Sequence, residues 1–271
     1  MSQHIPPQGE SSPSSPEFGP ANAPQRPQVP PRVKIELPKV TPLVTYTFMA
    51  LSVLVFLLQI ASQYLQGVDI PAAYGMKVNE YILQGELWRL FTPMLLHGSF
   101  LHIGFNMYAL YIFGPTLERH FGHWRFLALY VLSGFAGNVI SFLFSPAPSL
   151  GASTAIFGLL GAQGVFLYQN RELFGQNARR ALVNIITVAA INLFLGLSSG
   201  IDNWGHVGGL AGGLLFTWFG GPLLHVEGIY PSLRLVDGRE SGDVLRAAFA
   251  VGLIFATLAA GIIYVRKGGL L

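Results

Sequence analysis

Residues 126–170 read FLALYVLSGFAGNVISFLFSPAPSLGASTAIFGLLGAQGVFLYQN, 45 residues without one Asp, Glu, Lys or Arg. A hydrocarbon core takes about 20 helical residues, so this run is long enough to cross a bilayer twice. Ser145-Pro-Ala-Pro-Ser149 marks the turn between the crossings, because proline breaks a helix and pushes the residue before it out of the helical region. Outward from this pair lie five more uncharged stretches: Val44 to Gln66, Phe100 to Leu117, Ala181 to Ile201, Asn203 to Leu224 and Ala247 to Val265. Only a helix satisfies its own backbone at that depth. The sequence therefore predicts an all-α polytopic membrane protein.

Composition agrees. Of 271 residues 51% are hydrophobic and 11% charged, against about 25% charged in an ordinary soluble protein. The mean hydropathy is +0.48, and 32 glycines suit helices packed closely in lipid. A soluble enzyme, a coiled coil and a disordered chain are excluded. The absence of cysteine removes disulfides, thiolate metal sites and a thiol nucleophile. A net charge of +3 does not point to nucleic acid, because the 16 basic residues are scattered between apolar runs.

Residues 1–40 hold 10 of the 18 prolines and no apolar run, so they read as a disordered cytoplasmic tail, neither secretory signal nor transit peptide. With that tail inside, Arg26, Arg32, Lys34, Lys39, Arg119, Arg125, Arg171, Arg179, Arg180, Arg234, Arg239 and Arg246 fall on the inner side. Only Lys77, Arg89, Arg266 and Lys267 fall outside. Twelve against four satisfies the positive-inside rule. The expectation is an integral protein of the plasma (inner) membrane. Residues 44–224 form its core, 225–243 a cytoplasmic linker, and 244–271 a seventh span with a short outer tail. The outer loop 67–99 carries Trp88, Phe91, Leu95 and Leu96, suited to the interfacial layer.

Polar side chains inside spans are costly and mark function. His102 and Asn106, four apart, share one face at the outer end of the second span. Ser153 opens the fourth span and His206 the sixth, so topology brings all three clusters to one depth. A serine hydroxyl becomes nucleophilic when an imidazole accepts its proton, and the oxyanion then needs donors. Ser153, His206, His102 and Asn106 supply these parts. The helix N-terminus at Ser153 adds free N–H groups and a positive dipole end.

Gly205, Gly209 and Gly213, the parallel pair Gly208 and Gly212, and Gly158, Gly161 and Gly164 are spaced for close helix approach. Phe157, one turn below Ser153, is placed to pack against the imidazole. No Asp or Glu lies within these runs, which favours a Ser–His dyad over a triad. Asp202, four residues before His206, reads as an N-cap, with a third catalytic member as the competing reading.

These residues resemble the rhomboid intramembrane serine proteases over about Val44 to Leu224. Trp88-Arg89 resembles the family's Trp-Arg pair, and His102-Ile-Gly-Phe-Asn106 its His-x-x-x-Asn. Gly151-Ala-Ser153-Thr resembles the nucleophile motif, and His206-Val-Gly-Gly209-Leu-Ala-Gly-Gly213 the glycine-rich motif of the last core helix. The resemblance implies a six-helix core plus a seventh C-terminal helix. It also implies Ser153 as nucleophile, His206 as general base and acid, and His102, Asn106 and the Ser153 N–H at the oxyanion. The substrates implied are transmembrane proteins cut near the outer end of a helix, without cofactor or metal. Thr154 departs from the Gly or Ser of many members. His97 resembles an additional upstream histidine implied to bind water, with a plain interfacial loop residue as the competing reading.

The main alternative is a catalytically inactive rhomboid-like protein that binds membrane helices, although such relatives lack the serine or the base. A transporter would carry intramembrane charges. A zinc hydrolase on His97, His102 and His206 would need a paired helical His-x-x-x-His and a carboxylate base.

Overall fold

A computed structural model describes residues 40–198, 200–229 and 233–268. The tail expected over residues 1–40 lies outside the described residues except for Val40. In chain order the elements are α1 (Leu43–Gln66), α2 (Ile70–Gly75), α3 (Asn79–Leu83), two short 3-10 turns (Leu87–Leu90 and Thr92–Leu95), α4 (Phe100–Phe121) and α5 (His123–Phe144). There follow α6 (Ser153–Gln169), α7 (Arg171–Phe174), α8 (Gln176–Leu195) and α9 (Asn203–Gly220), the hairpin strands β1 (Leu224–Glu227) and β2 (Arg234–Asp237), and α10 (Ser241–Arg266). Among the described residues four helices, α1, α5, α8 and α10, are long and apolar enough to cross a membrane. Their exposed faces carry Leu54, Leu57, Ile186, Phe194, Phe249 and Leu253, a surface that suits hydrocarbon and not water.

The helix ends follow local chemistry. Gly67, at φ 74°, ends α1 in the left-handed conformation, and its N–H bonds the Gln63 carbonyl. Between α5 and α6, residues 145–152 stay non-helical, so α6 begins at Ser153 and not at Ser149 where the uncharged run divides. The α8 helix starts at Gln176, taking in Arg179 and Arg180 ahead of the uncharged run. The last helix starts at Ser241, stabilised by a capping box between Glu240 and Asp243.

The centre of the bundle is α5, α6 and α9, with α10 against α5 and α9, α1 against α4, and α8 along α6. Glycine makes the central contact possible. A Cβ on Gly209 would stand 1.9 Å from the Thr154 carbonyl oxygen, and one on Gly213 2.0 Å from that of Gly158. A Cβ on Gly208 or Gly212, on the neighbouring row, would meet Ile140 or Ala136 of α5 at 2.6 and 2.7 Å. One helix thus offers a smooth groove to each of two partners. Gly164 meets only Ile185, at 3.9 Å, and takes no part in this approach.

The 67–99 segment folds into short helices pinned to the bundle. Arg89, 2% exposed, donates to the Ala73 and Met76 carbonyls and pairs with Glu86 at 2.6 Å. Trp88 is half exposed and donates to the Tyr74 carbonyl. Phe91 stacks on Phe135 of α5 at 4.6 Å. Leu96, expected at the interface, is buried at 3% exposure against Gly75. One carboxylate lies beyond the reach of the uncharged-run criterion. Glu118 continues α4, is fully buried, and accepts from the Val44 and Thr45 N–H groups, the Thr45 hydroxyl and His123.

Candidate active site

Ser153 is the first residue of α6 and His206 lies one turn into α9. Tight α6–α9 packing brings the Ser153 Oγ to 2.9 Å from His206 Nε2. Phe157 stacks on the imidazole, centroids 4.2 Å apart and planes 11° from parallel. His206 is 8% exposed, and among the described residues its Nδ1 has no side-chain or backbone partner. Asp202 does not reach it. Its Oδ1 accepts from the Gly205 N–H at 3.0 Å as the N-cap of α9, and its Oδ2 takes the Ser141 hydroxyl.

Gly151 lets His102 approach. Its φ is +137°, a conformation that disfavours any side chain, and a Cβ there would meet the His102 Nε2 at 2.7 Å and the Ser153 Oγ at 3.6 Å. His102 is placed by the Ser99 N-cap of α4, whose hydroxyl accepts its N–H at 3.1 Å. The Gly98 N–H faces His102 Nδ1 at 3.4 Å, which leaves Nε2 to carry the proton. Asn106 is buried, and its amide donates to the His102 carbonyl at 2.9 Å.

His97 is 1% exposed and sits edge-on to His102 at 5.2 Å. Gln59 of α1 brackets it, accepting its N–H and donating to its carbonyl. Burial, and next the neighbouring His102, push its pKa down to about 4, so its ring is neutral at physiological pH. Thr154 uses its methyl to fill the space between Gly137 of α5 and Gly205 of α9, where added Cβ atoms would meet it at 2.6–3.0 Å. A groove of about 660 Å³ between α5 and α10, lined by Leu143, Leu258, Arg266 and others, shares none of these residues.

Sequence reasoning gave no site role to Lys77, Ser141 or Gln59, all buried polar residues. No periodic pattern flags them. A lysine in a loop reads as solvated until its burial is seen.

Residues 84–223 match the Rhomboid domain model. The chain is 41% identical over 215 residues to rhomboid protease GluP of Bacillus subtilis (strain 168), covering 79% of this chain and 40% of the relative. It is 36% identical over 160 residues to the chloroplastic RHOMBOID-like protein 9 of Arabidopsis thaliana, covering 59% of this chain and 37% of the relative. RHOMBOID-like protein 1 of the same plant is 41% identical over 142 residues, covering 52% of this chain and 36% of the relative. The chain thus spans well under half the length of each of these relatives.

Proposed function

The chain belongs to the rhomboid family, and from that premise we propose that it is an intramembrane serine endopeptidase using Ser153 and His206 as a dyad. The observation that carries this reading is the 2.9 Å contact between hydroxyl and imidazole, from two helices, inside an apolar bundle. Ser153 Oγ attacks the scissile carbonyl as His206 Nε2 takes its proton, giving a tetrahedral intermediate. His206 returns that proton to the leaving amine, and water hydrolyses the acyl-enzyme by the same route.

Packing takes over the orienting role of a third catalytic residue, since Phe157 fixes the ring plane and no carboxylate reaches Nδ1 among the described residues. For the oxyanion, the His102 Nε2–H lies beside Ser153, and Asn106 keeps one amide N–H beyond the bond to His102. The N-cap of α6 is Ala152, which offers no side-chain acceptor, so the first N–H groups of α6 remain available to a developing charge.

In this reading α1, α4, α5, α6, α8 and α9 form the six-helix core and α10 the seventh span, with the N-terminus in the cytoplasm and the site near the outer face. Substrates are transmembrane helices that unwind locally before cleavage, because a helical scissile bond is shielded by its own hydrogen bonds. Water reaches the dyad through a cavity open to the outer phase. Labelling of the detergent-solubilised protein with a fluorophosphonate tests the reading. Wild type is expected to react and Ser153→Ala and His206→Ala to be silent, and equal labelling of all three would refute it.

A further inference from the structure

Lys77 is fully buried in a loop outside the helices, and its backbone and side chain run to opposite halves of the site. Its N–H and C=O form a two-bond bridge with Ser149, at 2.9 and 3.1 Å, four residues ahead of Ser153. Gly151, next along the same segment, donates to the Pro93 carbonyl at 2.9 Å, so the outer loop holds the nucleophile segment at two points. The Lys77 ammonium donates to the Ser145 carbonyl at 2.9 Å and to Ser141 Oγ at 3.1 Å. The Ser141 hydroxyl donates in turn to Asp202 Oδ2, and Asp202 Oδ1 caps α9 one turn ahead of His206.

We propose that Lys77 is a positioning residue that holds the base helix to the nucleophile segment through an ammonium–serine–carboxylate relay, Lys77 to Ser141 to Asp202. The inference rests on the Ser153–His206 reading and adds to it an electrostatic tie outside the reacting atoms. Ser141 accepts from the cation and donates to the anion, so charge on both ends fixes the sense of the chain. A buried cation without such a partner would carry a large desolvation cost. The charged groups around Lys77 are Asp202 before α9, Glu80 on α3 and Arg266 at the end of α10. Burial outweighs the two carboxylates, with Arg266 adding to it, and lowers the lysine's pKa to about 8. The relay is therefore intact near neutrality and loses its cation above that pH.

The test uses the full chain in detergent, a fluorophosphonate probe, and Lys77→Met, Asp202→Asn and their combination beside wild type and Ser153→Ala. Asparagine caps a helix about as well as aspartate, so Asp202→Asn removes the charge and keeps the cap. Lys77→Met is expected to label roughly 10- to 100-fold more slowly, the scale of an ångström's misplacement. The double variant should be no slower than the slower single one. The ratio of wild-type to Lys77→Met rates should then shrink toward one as the pH passes about 8, where wild type also loses the charge. A lysine that only fills space would give a ratio independent of pH. Where Lys77→Met does not fold, Ser141→Ala cuts the same relay with both charges kept and is expected to slow labelling likewise. Wild-type rates for Lys77→Met or Ser141→Ala, additive effects of the two charge variants, or a pH-independent ratio would overturn the relay alone. Labelling of Ser153→Ala at the wild-type rate would remove the dyad and the relay with it.

Discussion

Gly209→Ala tests the close approach on which the dyad depends. The added Cβ would lie 1.9 Å from the Thr154 carbonyl oxygen, where a comfortable carbon–oxygen contact is about 3.3 Å. No rotamer change supplies the missing ~1.4 Å, because the obstacle is backbone, so α6 and α9 must part by about that much. Ser153 Oγ and His206 Nε2 stand on these two helices, 2.9 Å apart. The same displacement carries them past roughly 4 Å, outside hydrogen-bond reach. Overpacking of this kind costs about 1–3 kcal/mol, and a misplacement near 1 Å costs on the order of 100-fold in rate. The expected result is a folded protein with a lowered thermal midpoint and a fluorophosphonate labelling rate down about 100-fold. Gly164→Ala is the control. Its Cβ meets only Ile185 at 3.9 Å, and alanine is favoured over glycine by about 1 kcal/mol inside a helix, so labelling should hold and stability should not fall. Gly209→Ala labelling at the rate of Gly164→Ala would refute the reasoning.

Glu118→Ala strands the Val44 and Thr45 N–H groups, each orphan costing about 1–3 kcal/mol, so thermal unfolding in detergent should fall sharply while the folded fraction labels normally. His97 binds a proton near pH 6.5 when unfolded and only near 4 when folded. In that window the unfolded state holds more protons, so stability declines as pH drops through it and is flat above. His97→Phe should remove that part of the decline, as read by melting curves across the same pH range. Ile185→Ala takes away one of only two buried residues of α8, and the loss should loosen that helix locally: cleavage of a transmembrane substrate should change more than labelling by a small probe. EDTA should leave fluorophosphonate labelling unchanged, since no step in the mechanism runs through a metal.

The helices could be read from the uncharged runs because lipid imposes one rule on the whole chain, and a span without Asp, Glu, Lys or Arg is visible as a string. Their ends could not be read that way. The α6 helix starts at Ser153 because the positive φ of Gly151 and the bridge from Ser149 to Lys77 keep the preceding segment out of the helix, a tertiary cause. Glu118 escaped the criterion because it sits one residue past an uncharged run, and the backbone N–H groups it accepts from are on α1, more than 70 positions away. Ser153, His102, Asn106 and His206 stood out because the topology brings them to one depth and together they supply a nucleophile, a base and oxyanion donors. The tie from Lys77 through Ser141 to Asp202 has no such contrast, since a loop lysine, a helix serine and an N-cap aspartate are each ordinary where they stand.

The distribution of packing explains how the proposed site keeps its geometry without an orienting carboxylate. Ser153, Phe157 and His206 lie where α6 meets α9 with backbone against backbone, leaving no room for a Cβ on Gly209 or Gly213. The α8 helix, along α6, buries only Ala178 and Ile185, and Ile185 belongs to the small cluster with Phe157 and Leu160. The long helix with the fewest buried side chains therefore rests on the residue that stacks on the imidazole. A displacement of α8 would act on His206 through Phe157 and through the bond from Asn203 of α9 to the Leu193 carbonyl of α8, while the Gly209 and Gly213 contacts, which α8 does not touch, would still hold α6 against α9.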